Sequence, residues 1–453
     1  MTAVHAAEQP ARAIRLPAGW PFVALFAGYP LWWALGLGQF AFWVFAVPMA
    51  VELVRRHRAG GLRVPPGFGL WALFLVWSVA GLAFVGLTPT GALPGSGGLL
   101  GALVRIGCYL ALTVLLLYVG NLSRTELSDL RVARTLGWLC LATIAGGLLG
   151  TVAPHFEFTA PAERLLPGAL AADPYVQALL HPAAAQVMDV LGYEAPRPKA
   201  PWEYTNSWGN NLSLLLVWLV VGWVRFGSGW RRWAAALAVG LAAVPIVYSL
   251  NRGLWVGLAL SLGFLLYWLL RRRRVAAAAL CGAAALLAAA ALLLSPLMAI
   301  VEQRAASPHS DDGRATSSAA AVRAANESPV AGWGATREAL GSGDSIAVGR
   351  TPECPQCGNS TIGNNGHLWL LLVANGWVGA ALFVGFFALT AWRHRRDRTP
   401  VGAAALLTVL LLFWYMFFYV ALTAPLAITM TAVALLWRRA ADRPGTAAAP
   451  VGV

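Results

Sequence analysis

About a dozen apolar runs, each roughly as long as a bilayer is thick, leave this chain few folds to adopt. Backbone in hydrocarbon has no water to bond, so a run of about 20 apolar residues crosses the membrane as a helix. Such runs lie near 20–38, 40–54, 68–87, 99–120, 135–153, 210–225, 233–250, 253–270, 275–298, 367–391, 401–419 and 422–437. Only 11% of the residues are charged and mean hydropathy is +0.65, outside the range of soluble domains. The expected fold class is all-α, a polytopic membrane protein of about 12 transmembrane helices.

The net charge of +14 would suit a nucleic-acid partner if it were spread over the surface. It is not. With the N-terminus inside and the chain alternating, 23 of the 33 basic residues but only six of the 19 acidic ones fall in inner segments, the run Arg271 to Arg274 among them. This is the positive-inside rule met at every inner loop, and it predicts cytoplasmic N- and C-termini and no nucleic-acid partner. Residues 1–19 lack an apolar core followed by a small-residue cleavage site, so they read as a cytoplasmic tail. The expected organisation is then 20–153 N-terminal spans, 154–209 an outer loop, 210–298 central spans, 299–366 a large extracytoplasmic loop between helices 9 and 10, 367–437 C-terminal spans and 438–453 an inner tail.

The stretch "YSLNRGLWVGLAL" places Arg252 at the outer mouth of the bundle, where positive charge has no topogenic role. Charges kept near membrane segments usually serve a pathway or an anionic ligand; the bland reading is a snorkelling interfacial arginine. Arg105, about a turn and a half inside the fourth span, can reach an outer anion, snorkel, or bond a neighbouring helix. The outer loop ends in "APWEYTNSWGNNLSLLL", where Glu203, Asn206, Asn210 and Asn211 crowd the start of a span. They suit helix capping, or a carbohydrate whose hydroxyls bond amides while Trp202 and Trp208 stack on its CH faces.

In the second outer loop, 315–327 reads as a short helix stopped by Ser328-Pro329, followed by a glycine-rich stretch. Its arginines Arg304, Arg314, Arg323, Arg337 and Arg350 suit phosphate, or they pair with the loop's own acids. Cys108, Cys140 and Cys281 lie in spans as packing residues. Cys354 and Cys357 form "CPQC" outside the membrane, which reads as a local disulfide, with metal binding or redox chemistry as alternatives.

Four features, in order, carry a resemblance: "YTNSWGNN", the outer turn "SLNRG", "GRATSSAAAVRAANESPVAGWG", and "GHLWLLLVANGWVG". Over roughly 200–437 the chain resembles the bacterial O-antigen ligase and Wzy-type polysaccharide polymerase family. The resemblance implies a metal-independent glycosyltransferase with no cofactor in the bacterial plasma membrane. It would move a glycan from a polyprenyl-pyrophosphate (undecaprenyl pyrophosphate) carrier to an acceptor hydroxyl on a glycan, lipid or protein at the outer face, in cell-envelope polysaccharide biosynthesis. In that chemistry Arg252 and Arg314, with Arg105, Arg337, Asn206 and Asn210 as further substrate contacts, would meet charge developing on the diphosphate. His367 would act as general base, with Glu203 as the alternative. The rival class is a flippase for lipid-linked oligosaccharide or another transporter. Coupled transport normally uses carboxylates or histidines within spans, and none lies in the middle of one here.

Overall fold

The computed structural model describes residues 16–95, 97–168, 174–189, 194–305, 309–340 and 359–441. Cys354 and Cys357, and with them the expected disulfide, lie outside the described residues.

The chain is mostly helical. Instead of one span over 20–38 there are two short helices, α1 (Trp20–Ala27) and α2 (Tyr29–Ala34). Each carries a proline in its first turn, and a proline has no N–H to continue the i→i−4 ladder. The Trp32 indole donates to the Ala24 carbonyl at 3.0 Å, beside the Gly28 N–H that the same oxygen accepts at 3.1 Å, and so ties α2 back onto the end of α1. Next come α3 (Ala41–Arg58), α4 (Phe68–Ala80) with a 3₁₀ extension Gly81–Phe84, α5 (Leu99–Asn121), α6 (Asp129–Val152), and the short α7 (Pro161–Arg164) and α8 (Pro174–Leu180). They are followed by α9 (Thr205–Leu219) running into a π turn Val220–Arg225, α10 (Trp230–Tyr248), α11 (Arg252–Arg271), α12 (Val275–Leu293), α13 (Leu297–Ala305) and α14 (His309–Glu327). The last three are α15 (His367–His394), α16 (Pro400–Tyr415) and α17 (Ala424–Ala441).

Among the described residues, seven helices are long and apolar enough to cross a membrane: α5, α6, α9 with its π turn, α10, α11, α12 and α15. Shorter apolar helices are α4 with its extension, and α16. The chain is therefore a multi-pass membrane protein. The expected spans 40–54 and 422–437 are helices whose ends carry Glu52, Arg55 and Arg56, and Arg438 and Arg439. Those charges do more than anchor: Arg438, almost fully buried, donates to Asp129 at 2.5 Å, and Arg56 pairs with Glu126, tying the helix ends together.

The expectation of an all-α chain needs one correction. Two antiparallel strand pairs form in the segments between helices, β1 (Ala185–Asp189) with β2 (Glu194–Pro198), and β3 (Arg337–Leu340) with β4 (Asn359–Ile362). The backbone of these segments must bond to something, and Pro196 and Pro198 forbid a helix while a two-stranded ribbon tolerates them on its free edge.

α5, α6, α9, α16 and α17 pack into one apolar core, in which Tyr109, Trp208, Trp218 and Leu426 are buried. α12 stands apart, with Leu280, Leu286, Leu287 and Leu293 exposed, as a lipid-facing helix would be. One join matters for the site. α15 opens at Gly376, whose φ of 66° suits glycine, and the freed carbonyls of Val373 and Ala374 accept from Trp333 and Gly334 at 2.8 and 2.9 Å. A Cβ on Gly332 would lie 2.5 Å from the Gly376 nitrogen, so "GWG" and "VANG" are two halves of one close contact.

Candidate active site

The turn 416–423, between α16 and α17, is where the chemically able side chains meet. His367 N–H donates to the Tyr419 carbonyl at 3.0 Å, and Leu368 N–H to Met416 at 2.9 Å. Arg314 reaches the Phe418 carbonyl at 3.4 Å, Ala421 N–H reaches the His367 ring, and the Thr423 hydroxyl bonds Gln39.

Above this turn the "SLNRG" corner is held by arginines from two other segments. Arg197 of β2 donates through Nε to the Ser249 carbonyl at 2.6 Å, and Arg304 of α13 donates to the Leu250 carbonyl at 3.3 Å. Both are buried. Asn251 caps α11 by accepting Leu254 N–H at 3.0 Å, which sets Arg252 in the first turn of that helix. The Tyr419 hydroxyl bonds Asn251 and lies within Coulomb range of Arg314, Arg197 and Arg252. Burial above all holds the Arg197 guanidinium down, to about 10; Tyr419 opposes this, and Arg304 and Arg314 add to it. Four guanidinium groups from four segments therefore converge on one corner. Like charges gathered at partly buried positions destabilise a fold, and the usual compensation is an anion.

Residues 237–355 match the family model described as O-antigen ligase. Over that segment the chain is similar to O-antigen ligases. The comparison with curated proteins gives no match. The O-antigen ligase segment spans well under half of the chain, yet it contains Arg252, Arg304 and Arg314. Arg197, His367 and Tyr419 lie outside it and join it through the fold.

His367 opens α15 and its ring is completely enclosed, 4.9 Å from the Phe383 centroid and with Nε2 3.4 Å from the Tyr109 hydroxyl. Nδ1 accepts Ala421 N–H at 3.3 Å, so the ring proton belongs on Nε2. That is the tautomer a base acting through Nδ1 requires, and the contact occupying that lone pair is long for a hydrogen bond.

Glu203 is placed elsewhere, in a small pocket with Tyr29, Trp33, His181 and Trp202. The Tyr29 hydroxyl donates to it at 3.3 Å and Gln39 also bonds it, which links it through Thr423 to the same turn. Burial raises its carboxyl above the usual range, against those hydrogen bonds and the charge of Lys199.

The other sequence-predicted residues divide. Asn206 accepts from Arg197 at 3.5 Å and so borders the cluster. Asn210 and Asn211 are buried in α9, with Asn210 Oδ1 and both Asn211 amide atoms unpartnered. Arg105 sits beneath the "GWG" loop, donating to the Gly334 carbonyl at 2.6 Å and within Coulomb range of His367. Arg337 binds carbonyls: those of Val85, Leu87, Trp333 and Ala335 all accept from it at 2.8–2.9 Å. The residues missed by sequence reasoning are Arg197 and Tyr419. Arg197 had a signal, since a basic residue in a segment read as outer is as anomalous as Arg252. Tyr419 had none inside "FWYMFFY".

Proposed function

We propose that the protein is a glycosyltransferase that moves a glycan from a polyprenyl-diphosphate carrier to an acceptor hydroxyl at the outer face of the plasma membrane, without a metal ion. The observation that carries this reading is the convergence of Arg197, Arg252, Arg304 and Arg314 on the corner at Asn251 and Tyr419. The acceptor oxygen attacks the anomeric carbon and the bond from that carbon to the diphosphate oxygen breaks. The electron pair leaves with the diphosphate. Guanidinium forks match that growing charge, and one preorganised contact of this kind is worth about 2.7–4 kcal/mol of barrier. The acceptor proton passes to a base, for which His367 has the required tautomer once the Ala421 contact is replaced by the acceptor hydroxyl. A second reading gives the proton to Glu203, because that carboxyl lines a pocket and burial raises its basicity.

The test is a reaction of the purified protein with a lipid-diphosphate-linked oligosaccharide, with and without candidate acceptors. Release of polyprenyl diphosphate together with glycan on the acceptor is expected. Movement of intact donor across a vesicle membrane with no cleavage would overturn the reading in favour of a flippase.

A further inference from the structure

Asn251 Oδ1 does two things at once. It accepts Leu254 N–H at 3.0 Å as the helix cap, and it accepts the Tyr419 hydroxyl. Asn251 is 2% exposed, and its Nδ2 has no hydrogen-bond partner, facing the bare backbone of Gly209, where a Cβ would lie 2.5 Å away. The phenol is equally confined: a Cβ on Gly253 would lie 2.3 Å from its oxygen, and Tyr415 stacks on its ring at 5.5 Å. A hydroxyl has one proton and two lone pairs. With the proton fixed on Asn251, the Tyr419 oxygen lies within Coulomb range of Arg197, Arg252 and Arg314, and the Ser249 and Phe418 carbonyls hold Arg197 and Arg314 close to this pair, at 2.6 and 3.4 Å.

We propose that Asn251 and Tyr419 form a positioning pair for the arginine cluster: the amide oxygen orients the phenol, and the phenol oxygen holds the guanidinium groups in place before a diphosphate arrives. The pair rests on the reading that the cluster binds a diphosphate. An asparagine is needed here and not merely a good cap. Aspartate caps helices as well as asparagine and would accept the same phenol proton, but it puts a carboxylate among the cations.

Two variants separate this from a packing role. Tyr419→Phe keeps the ring and the stack on Tyr415 and loses only the oxygen; Asn251→Asp keeps both hydrogen bonds and adds charge. The measurement is binding of a short-chain polyprenyl diphosphate carrying no sugar to the full-length protein in detergent, with polyprenol of the same length as control and Arg314→Ala as reference. Wild type should prefer the diphosphate, both variants should lose about tenfold or more in affinity for it, and neither should have a lowered melting temperature. Their transfer kinetics with a glycosylated donor should show kcat lowered as well as KM raised, because the displaced guanidinium groups also meet charge that develops in the transition state. If wild type prefers the diphosphate and Arg314→Ala loses it while Tyr419→Phe and Asn251→Asp bind as wild type, the pair is only packing and the proposal is overturned. If wild type binds diphosphate and polyprenol alike, the anion reading of the cluster fails, and the positioning role with it.

Discussion

The backbone N–H of His367 donates to the carbonyl of Tyr419 at 3.0 Å, so the candidate base and the phenol at the centre of the arginine cluster are fixed to one another through the main chain. That bond lets one turn carry both halves of a transfer reaction. On the proposed function, charge would be stabilised on the side of Tyr419 and a proton taken on the side of His367.

If His367 is the base, replacing it with alanine removes an interaction made in the chemical step. Turnover should fall by about 10²–10⁴-fold while donor affinity changes little. Glu203→Gln should then stay within a few-fold of wild type. Measuring kcat and donor Kd for both variants checks this, and the reverse ranking would give the base role to Glu203.

Glu203 also sets a pH dependence of stability. Burial raises its folded-state carboxyl above the unfolded value, so the folded protein holds this proton to higher pH than the unfolded chain does. Its contribution is fully present below the ordinary carboxylate range and is lost as pH rises through the raised value. Glu203→Gln cannot ionise and escapes that loss. The melting temperature of the variant relative to wild type should therefore climb as pH rises above the ordinary carboxylate range, as thermal unfolding in detergent would show.

Arg337 should behave as a fold residue. Its guanidinium satisfies carbonyls of Val85, Leu87, Trp333 and Ala335, so Arg337→Ala leaves several buried acceptors without a donor. The expected cost is about 3 kcal/mol or more, with activity lost in parallel with melting temperature. Arg337→Lys should fare little better, because one ammonium cannot reach acceptors arranged around a planar fork.

Gly376 should be equally intolerant. A Cβ there would lie 2.7 Å from the Pro329 carbonyl and 2.8 Å from that of Val330, at a φ of 66°. Gly376→Ala is expected to cost about 1–3 kcal/mol from backbone strain alone, and to raise protease sensitivity at 328–334, which a limited-proteolysis time course reads directly.

Much of this was legible in the sequence, and the limits have physical causes. The helix ending at Glu327 stops at Ser328-Pro329 as local chemistry requires, though it begins at His309, a turn and a half earlier than its alanine pattern suggests. Arg252 stood out as a candidate because charge is expensive beside a membrane and it serves no topology, and Arg314 as one of several loop arginines that suit phosphate or the loop's own acids. Arg197 was hidden by its surroundings: only the pairing of β1 with β2 carries it from an irregular segment to the Ser249 carbonyl. Tyr419 was illegible in principle, since an aromatic run at a helix end reads as an interfacial belt whatever its hydroxyls touch. The role of Arg337 depends on carbonyls about 250 residues away in sequence, which no local pattern encodes.

The most direct test of the central claim, that the arginine corner recognises a diphosphate by its forks, is donor binding and turnover in Arg252→Lys beside Arg252→Ala. Lysine keeps the charge and the capped helix start but loses the planar pair of donors, so the account predicts that both variants are impaired to a similar degree, with normal expression and membrane insertion. Wild-type binding and turnover in Arg252→Lys would contradict it.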